Sequence, residues 1–146
     1  PIIGEFTWCN ALEMVKGHDV VVDASDNPKT RYLINDACVL SGIPLVSGSA
    51  MGTEGQLTLY NVKGSDDTGC YRCMYPIRPK ATTTADGCKS CSDNGVLGTV
   101  PGLIGILQAT EVIKLVTGIG ETMEGYLVMY DALRCSFVRC KKRPRR

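Results

Sequence analysis

The sequence contains very little histidine, and this scarcity removes one common kind of catalytic site. His18 is the only histidine in the 146 residues. It lies far upstream of the cysteine-rich segment and stands in a polar sequence typical of a surface turn. A cysteine nucleophile with a histidine base is therefore not expected. If a cysteine of this chain reacts, its electrophile must be activated by other means.

The sequence also lacks an uninterrupted apolar run and a recognisable secretory signal. The longest apolar stretch, VPGLIGILQATEVIKLVTGIG, is interrupted by Gln108, Glu111 and Lys114, so we expect no membrane span. The opening PIIGEFTWCN has no basic region followed by an apolar core. We therefore expect a cytoplasmic protein. In that reducing compartment the eight cysteines are expected to bind metal or to react, more than to form disulfides.

Neither sign of charge dominates, which argues against a nucleic-acid-binding surface over the whole chain. The formal net charge is +1, and the basic end KKRPRR leaves a mildly acidic body. That end is either a nuclear or nucleic-acid-binding signal or, more often for such runs, a solvated terminus. We therefore do not expect nucleic acid as a partner.

A Gly-rich phosphate loop is missing from the start of the chain. A doubly wound nucleotide-binding domain opens with a strand, a G-x-G-x-x-G turn and a helix. Here a short helical stretch, Cys9 to Lys16, leads directly into an apolar strand at Val20 to Val22. This order is typical of the second half of such a domain.

The pattern that follows predicts an α/β fold. After the first strand, Asn27 is placed to cap a helix that begins at Pro28 and stops at Gly42. The apolar sequence IPLVSGSAM then predicts a second strand, parallel to the first.

The rest of the chain predicts further strands and one long helix. EGQLTLYNV alternates as a strand with one solvated face does, and GYLVMYDA and CSFVRCKK predict two final strands. Residues 101–116 predict a helix buried by the sheet or by a partner subunit, with Glu111 and Lys114 solvating it. A long cysteine-rich connection, residues 63–94, completes a single domain with a mixed sheet and flanking helices.

Asp26 and Asn27 stand where an open α/β sheet binds ligands, after a strand and before a helix. A carboxylate at that place can hold Mg²⁺ on nucleotide phosphates, and the helix N–H groups favour anions. The alternative is that both residues only cap the helix and shape the turn.

Two Cys-x-x-Cys pairs, Cys70/Cys73 and Cys88/Cys91, raise a choice between metal binding and catalysis. Their spacing predicts one zinc site with four thiolates, for which Cys135 and Cys140 could also compete. In that case the chain could be a zinc-ribbon-like binding module whose basic tail contacts RNA or protein. Alternatively, Cys91 is an accessible thiol, because it lies among Gly, Ser and Asn near a lysine.

Four segments carry a family resemblance. DASDNPKTRYLINDACVLSGIPLVSGSAMGTEGQLTLYN, GCYRCMYP, CSDNGVLGTVPGLIGILQATEVIKLVTG and LVMYDALR follow one another in this order. Together they closely resemble the ubiquitin-activating-like adenylyltransferases of the MoeB/ThiF group. Within that group the eukaryotic molybdopterin-synthase adenylyltransferases and sulfurtransferases are the most similar. The resemblance implies a Rossmann-like ThiF-type fold, of which residues 1–146 form the C-terminal part of the adenylation domain.

The resemblance also implies an activity. ATP and Mg²⁺ would adenylate the C-terminal glycine of a ubiquitin-like sulfur carrier, followed by thioester or persulfide transfer, in molybdenum cofactor synthesis or tRNA thiolation. Asp26 would serve the Mg-ATP site, with Asn27 next to the nucleotide, and Cys91 would be the catalytic loop cysteine. Cys70 and Cys73 would form the first zinc knuckle, and the protein would be a homodimer.

Several parts of the family pattern are missing from residues 1–146. These are the Gly-rich loop, the catalytic basic residues of the first half, the second zinc knuckle and the rhodanese domain. We therefore expect this chain alone to be a poor adenylation catalyst.

Overall fold

One five-stranded sheet organises the part of the chain that the structure describes, which is residues 3–64, 69–76 and 95–142 of a computed structural model. The strands lie in chain order across the sheet: β1 (Val21–Asp23), β2 (Leu45–Met51), β3 (Glu54–Tyr60), β4 (Tyr126–Asp131) and β5 (Ser136–Lys141). Within these ranges four helices accompany them: α1 (Ala11–Val15), α2 (Pro28–Ser41), α3 (Tyr71–Met74) and α4 (Thr99–Thr117).

The β1–α2–β2 unit forms as predicted. Strands β1 and β2 are parallel, with Val21 opposite Leu45. The Asn27 side chain accepts a hydrogen bond of 2.9 Å from the Thr30 backbone N–H, and Pro28 occupies the first turn of α2. Helix α2 ends at Gly42, whose φ of 65° is left-handed and therefore favours glycine.

The other three strand pairs are antiparallel, so the sheet is mixed. The prediction that β3 has one solvated face is wrong. Leu57 and Leu59 pack toward α4, while Tyr60 packs among residues of α1 and α2, and Thr58 between them is also buried. Helices on both sides of the sheet bury this strand despite its alternating sequence.

Helix α4 lies against β2 and β3, as predicted, but only one side of it is covered. Gly55 permits the close approach, because a Cβ there would lie 2.6 Å from Ile104 Cγ1. On the opposite side Ile106, Ile113 and Val116 are each more than half exposed. By length and composition alone, α4 is the one helix in the described ranges that could cross a membrane.

The charged pair on α4 corrects another prediction. Glu111 is 3% exposed and accepts a hydrogen bond of 2.7 Å from the Met123 backbone N–H. Lys114 pairs with Glu111 and donates to the Glu121 carbonyl. The two side chains therefore hold the loop that leads into β4, and Glu111 does not solvate the helix.

Candidate functional site

A pocket of about 410 Å³ opens at the carboxyl ends of β1 and β2, beside the first turn of α4. In an open α/β sheet this is the edge at which ligands bind. Residues from the turn after β1, from β2, from the segment before α4 and from α4 itself line it: Ala24, Ser25, Asp26, Gly48, Ser49, Ala50, Gly95, Val96, Pro101, Ile104 and Gln108.

Asp26 and Asn27, the two residues predicted for this site, have different roles: Asp26 lines the pocket and Asn27 caps a helix. The Asn27 side chain caps α2, so the capping interpretation holds for that residue. Asp26 is exposed and lines the pocket, and one of its carboxylate oxygens accepts a hydrogen bond of 3.3 Å from the Asn27 amide. Asp26 is thus the acidic residue among those that line the pocket.

A buried ion pair lies at the strand ends below the pocket, and it was not predicted from the sequence. Asp23 is 1% exposed, and its carboxylate accepts hydrogen bonds from the Ser25 backbone N–H (2.9 Å) and hydroxyl (2.6 Å). Arg31 Nη1 lies 3.5 Å from the other carboxylate oxygen. The Arg31 guanidinium also donates to the Gly48 carbonyl at 2.9 Å. A single side chain therefore ties α2 to the ends of β1 and β2.

Gln108 fixes the same two strands from the opposite face of the sheet. Its side-chain amide donates to the Asp23 carbonyl at 2.8 Å and to the Val46 carbonyl at 3.2 Å. Gly48 makes room for this amide, because a Cβ there would lie 2.5 Å from the Gln108 Cδ. The chemical signal in the sequence was a lone amide within an apolar helix, which requires buried partners.

The chain returns to the pocket after the cysteine-rich connection. Gly52 donates to the Gly95 carbonyl at 3.2 Å, and Leu97 donates to the Gly52 carbonyl at 2.9 Å. These bonds attach residues 95–97 to the β2–β3 turn. Cys88 and Cys91, and with them the proposed nucleophile, lie outside the described residues.

Cys70 and Cys73 lie together at α3, with their sulfur atoms 3.6 Å apart. Two thiolates on one tetrahedral zinc at 2.3 Å are separated by about 3.8 Å, so the pair fits half of a zinc site. Burial is the main cause that raises the pKa of the Cys70 thiol. Within the described ranges no cluster of three or more His, Cys, Asp or Glu residues suited to a metal is present.

The segment of α3 is held to α2 by polar contacts. Asn35 accepts a hydrogen bond of 2.7 Å from the Tyr71 backbone N–H. Arg72 forms two bonds of 2.6 Å with Asp36. Helix α2 therefore holds the segment that carries the thiol pair in place.

The basic end of the chain was predicted to be a solvated terminus, but one of its first two lysines is buried. Lys141 is exposed, but Lys142 is buried and donates to the Leu59 carbonyl. Its ammonium lies 4.7 Å from the centre of the Tyr60 ring. Burial lowers the pKa of Lys142 to about 8, although the Cys73 and Glu124 charges oppose that shift. The last four residues lie outside the described ranges.

Comparison with known proteins identifies the family that has this architecture. The ThiF family matches residues 3–146. The chain belongs to the ThiF family. This finding confirms the family resemblance and the mixed α/β fold of the ThiF type.

The ThiF-family relatives include proteins much longer than this chain. It is 54% identical over 125 residues to "Adenylyltransferase and sulfurtransferase MOCS3-1" of Zea mays. The aligned residues are 86% of this chain and 25% of the relative. It is 49% identical over 146 residues to "Adenylyltransferase and sulfurtransferase MOCS3" of Sus scrofa. The aligned residues are the whole of this chain and 30% of the relative. The chain therefore spans less than a third of the length of these relatives.

A solved structure shows the same fold. E. coli MccB, crystallised with ATP, superposes on this ThiF-family chain with a TM-score of 0.74 at 21% identity. The match covers 96% of this chain and 41% of MccB. At that identity the likeness extends to the fold alone.

Proposed function

We propose that residues 1–146 form the C-terminal part of a ThiF-type adenylation domain that activates the C-terminal carboxylate of a ubiquitin-like sulfur carrier with ATP. The observation that carries this proposal is that exposed Asp26 lines the pocket at the carboxyl ends of β1 and β2, together with residues of α4. The names of the Zea mays and Sus scrofa relatives, adenylyltransferase and sulfurtransferase, support the reaction class. The fold shared with MccB, which was crystallised with ATP, is consistent with it.

Acyl adenylate formation requires alignment of its two substrates more than a protein nucleophile. A carboxylate oxygen of the carrier attacks the α-phosphorus of ATP, and pyrophosphate leaves. Mg²⁺ held by Asp26 would offset the phosphate charge. Asn27 holds the Asp26 side chain by its amide, and the Asp23–Arg31 pair and Gln108 hold the strand ends below it. The nucleotide loop that completes the ATP site would come from outside these residues.

The second step is assigned to Cys91. Its thiolate would attack the carbonyl carbon of the acyl adenylate, which releases AMP and leaves a thioester. A persulfide supplied from outside these residues would then attack the thioester carbonyl, which releases the Cys91 thiolate and forms an acyl disulfide. Attack of that thiolate on the disulfide would release the carrier as a thiocarboxylate and leave Cys91 in a disulfide with the sulfur donor. Cys91 precedes Gly95 by four residues, and four extended residues reach at most about 14 Å. Because Gly95 lines the pocket, chain length permits this thiol to reach the acyl group.

Zinc would be held by Cys70 and Cys73 as half of a tetrahedral site, whose other two ligands are not assigned and do not include Cys91. The sulfur separation of Cys70 and Cys73 fits two positions of a tetrahedral site. Such a metal would tie the start of the cysteine-rich connection to α2, through the Tyr71–Asn35 and Arg72–Asp36 contacts. Its role would be structural.

Association into a homodimer through α4 is also part of the proposal. Ile106, Ile113 and Val116 are 66%, 61% and 62% exposed along one side of this helix. Burying such side chains stabilises an interface by roughly 1.5 to 3 kcal/mol each. Molybdenum cofactor synthesis or tRNA thiolation, in the cytoplasm, is the setting that we propose from the family resemblance of the sequence motifs.

A carrier adduct tests the two steps together. A ThiF-type domain completed with its Gly-rich loop is incubated with ATP, Mg²⁺ and a carrier ending in Gly-Gly, and covalent adducts are measured by intact mass spectrometry. We expect an adduct sensitive to thiols in the unmodified protein and in Cys135→Ser, but none in Cys91→Ser. An equal adduct in Cys91→Ser would remove that residue from the mechanism.

A further inference from the structure

Gln108 brings one unused hydrogen-bond acceptor to the pocket at the ends of β1 and β2. The residue is 3% exposed, and its amide nitrogen donates to the Asp23 and Val46 carbonyls at 2.8 and 3.2 Å. Carbonyl oxygens only accept hydrogen bonds, so the nitrogen of the amide must face them. Oε1 is therefore the remaining polar atom of this side chain, and no donor within the described part of the chain bonds to it.

The Gln108 amide is held in one orientation. It packs against the backbone of Gly48, where a Cβ would lie 2.5 Å from Cδ, 2.6 Å from Oε1 and 2.7 Å from Nε2. Both residues line the pocket. An acceptor fixed in this way is preorganised for one donor of a ligand, and a ligand without that donor leaves it unpaired in a buried place.

The pocket walls near this acceptor carry few side-chain atoms. Besides Gly48, the lining includes Ala24, Ala50 and Gly95. Such walls leave room for a polypeptide main chain, whose regular donor is the backbone N–H. A phosphate group presents acceptor oxygens instead and does not satisfy Oε1. A glycine main chain, which has an N–H and no Cβ, therefore suits both the walls and the acceptor.

The acceptor and Asp26 lie within reach of one short peptide end. The Gln108 amide contacts the carbonyl of Asp23, and the three residues from there to Asp26 span at most about 11 Å. We propose that Gln108 Oε1 accepts a hydrogen bond from the backbone N–H of the carrier's terminal glycine, whose carboxylate is directed to the Asp26 side of the pocket. This inference rests on the adenylation function proposed above and makes Gln108 a specificity-determining residue for the Gly-Gly end.

The test removes the donor from the carrier and leaves the protein unchanged. A semisynthetic carrier has an ester in place of the amide between its last two glycines, so that an oxygen replaces the N–H with little change in shape. ATP–pyrophosphate exchange is measured with the domain completed with its Gly-rich loop. We expect kcat/KM for this carrier to fall about 10 to 100-fold, the loss typical of a buried acceptor left unpaired. A carrier with the ester one bond earlier is the control and should react as the all-amide carrier does.

A protein variant assigns the loss to Gln108. Gln108→Met keeps the length of the side chain without its acceptor, so it should react with the ester and all-amide carriers at nearly equal kcat/KM. A purely structural role would lower both values and preserve their ratio, which would overturn the proposal. Equal kcat/KM for the two carriers with the unmodified protein would overturn it without any variant. If the all-amide carrier supports no exchange, the adenylation function itself fails.

Discussion

The side-chain amide of Gln108 lies 2.8 Å from the backbone carbonyl oxygen of Asp23, so helix α4 is hydrogen-bonded to the strand end that precedes the Asp26 turn. The same amide contacts the Val46 carbonyl on the neighbouring strand. The geometry of the pocket therefore depends on one buried amide as well as on apolar packing.

Replacing Gln108 with leucine should destabilise the chain by about 1 to 3 kcal/mol, because two buried carbonyls lose a donor. Urea unfolding monitored by circular dichroism measures this loss. Thr110→Ala, on the exposed side of the same helix, is the control and should change stability by about 0.5 kcal/mol or less. Equal stability of Gln108→Leu and the unmodified chain would show that the amide contributes nothing.

Two glycines should respond to alanine in opposite ways. Gly55→Ala forces a Cβ to within 2.6 Å of Ile104 in the sheet–helix contact and should cost about 1 to 3 kcal/mol. Gly105→Ala, on α4, meets no heavy atom within 4 Å and should stabilise the helix by about 0.5 to 1 kcal/mol. The midpoints of urea unfolding should therefore move in opposite directions, and a shared direction would refute the close packing.

The Asp23–Arg31 pair should show strong coupling in a double-mutant cycle. Arg31→Met leaves a 1% exposed carboxylate without this cation, a change that costs about 3 to 5 kcal/mol. Asp23→Asn combined with Arg31→Met should cost clearly less than the sum of the two single changes. Additive losses in free energy of unfolding would mean that the two charges do not interact.

Cys38 should stay a thiol up to high pH. Burial, and secondarily the Asp23 charge, raises its pKa from 9.0 to about 12. We expect exposed Cys9 and Cys135 to be alkylated by iodoacetamide at pH 8.5 while Cys38 is not, as read by peptide mass spectrometry. Modification of Cys38 at the same rate as Cys9 would contradict its burial.

The same shift has a consequence for stability. Because the folded pKa of Cys38 is the higher one, its contribution is fully present below pH 9 and is lost as the pH rises toward 12. The unmodified chain should therefore lose stability between these values more steeply than Cys38→Ala. Parallel curves of unfolding free energy against pH would contradict this prediction.

The elements were predictable where local signals agree. Asn27, Pro28 and Gly42 delimit α2 in the sequence as they do in the structure, and the apolar runs locate the strands. The burial of β3 on both faces was not predictable, because it depends on helices that come from distant parts of the chain.

The site was predicted only in part, for a related reason. Asp26 could be identified from its place after a strand, but its supports, Arg31 and Gln108, act through contacts with distant strands. Lys142 could not be separated from the basic run around it, since only the fold shows which lysine is buried. Charge patterns report composition, whereas burial depends on tertiary contacts.

The most direct test of the proposed function is ATP–pyrophosphate exchange dependent on a Gly-Gly carrier, measured in a domain completed with its Gly-rich loop. Asp26→Asn is compared with Asp19→Asn, an exposed aspartate before β1. We predict that Asp26→Asn lowers exchange about a hundredfold or more, since metal stabilisation of phosphate charge is worth several kcal/mol. Asp19→Asn should exchange normally. Unchanged exchange in Asp26→Asn would contradict the assignment of this pocket to adenylation.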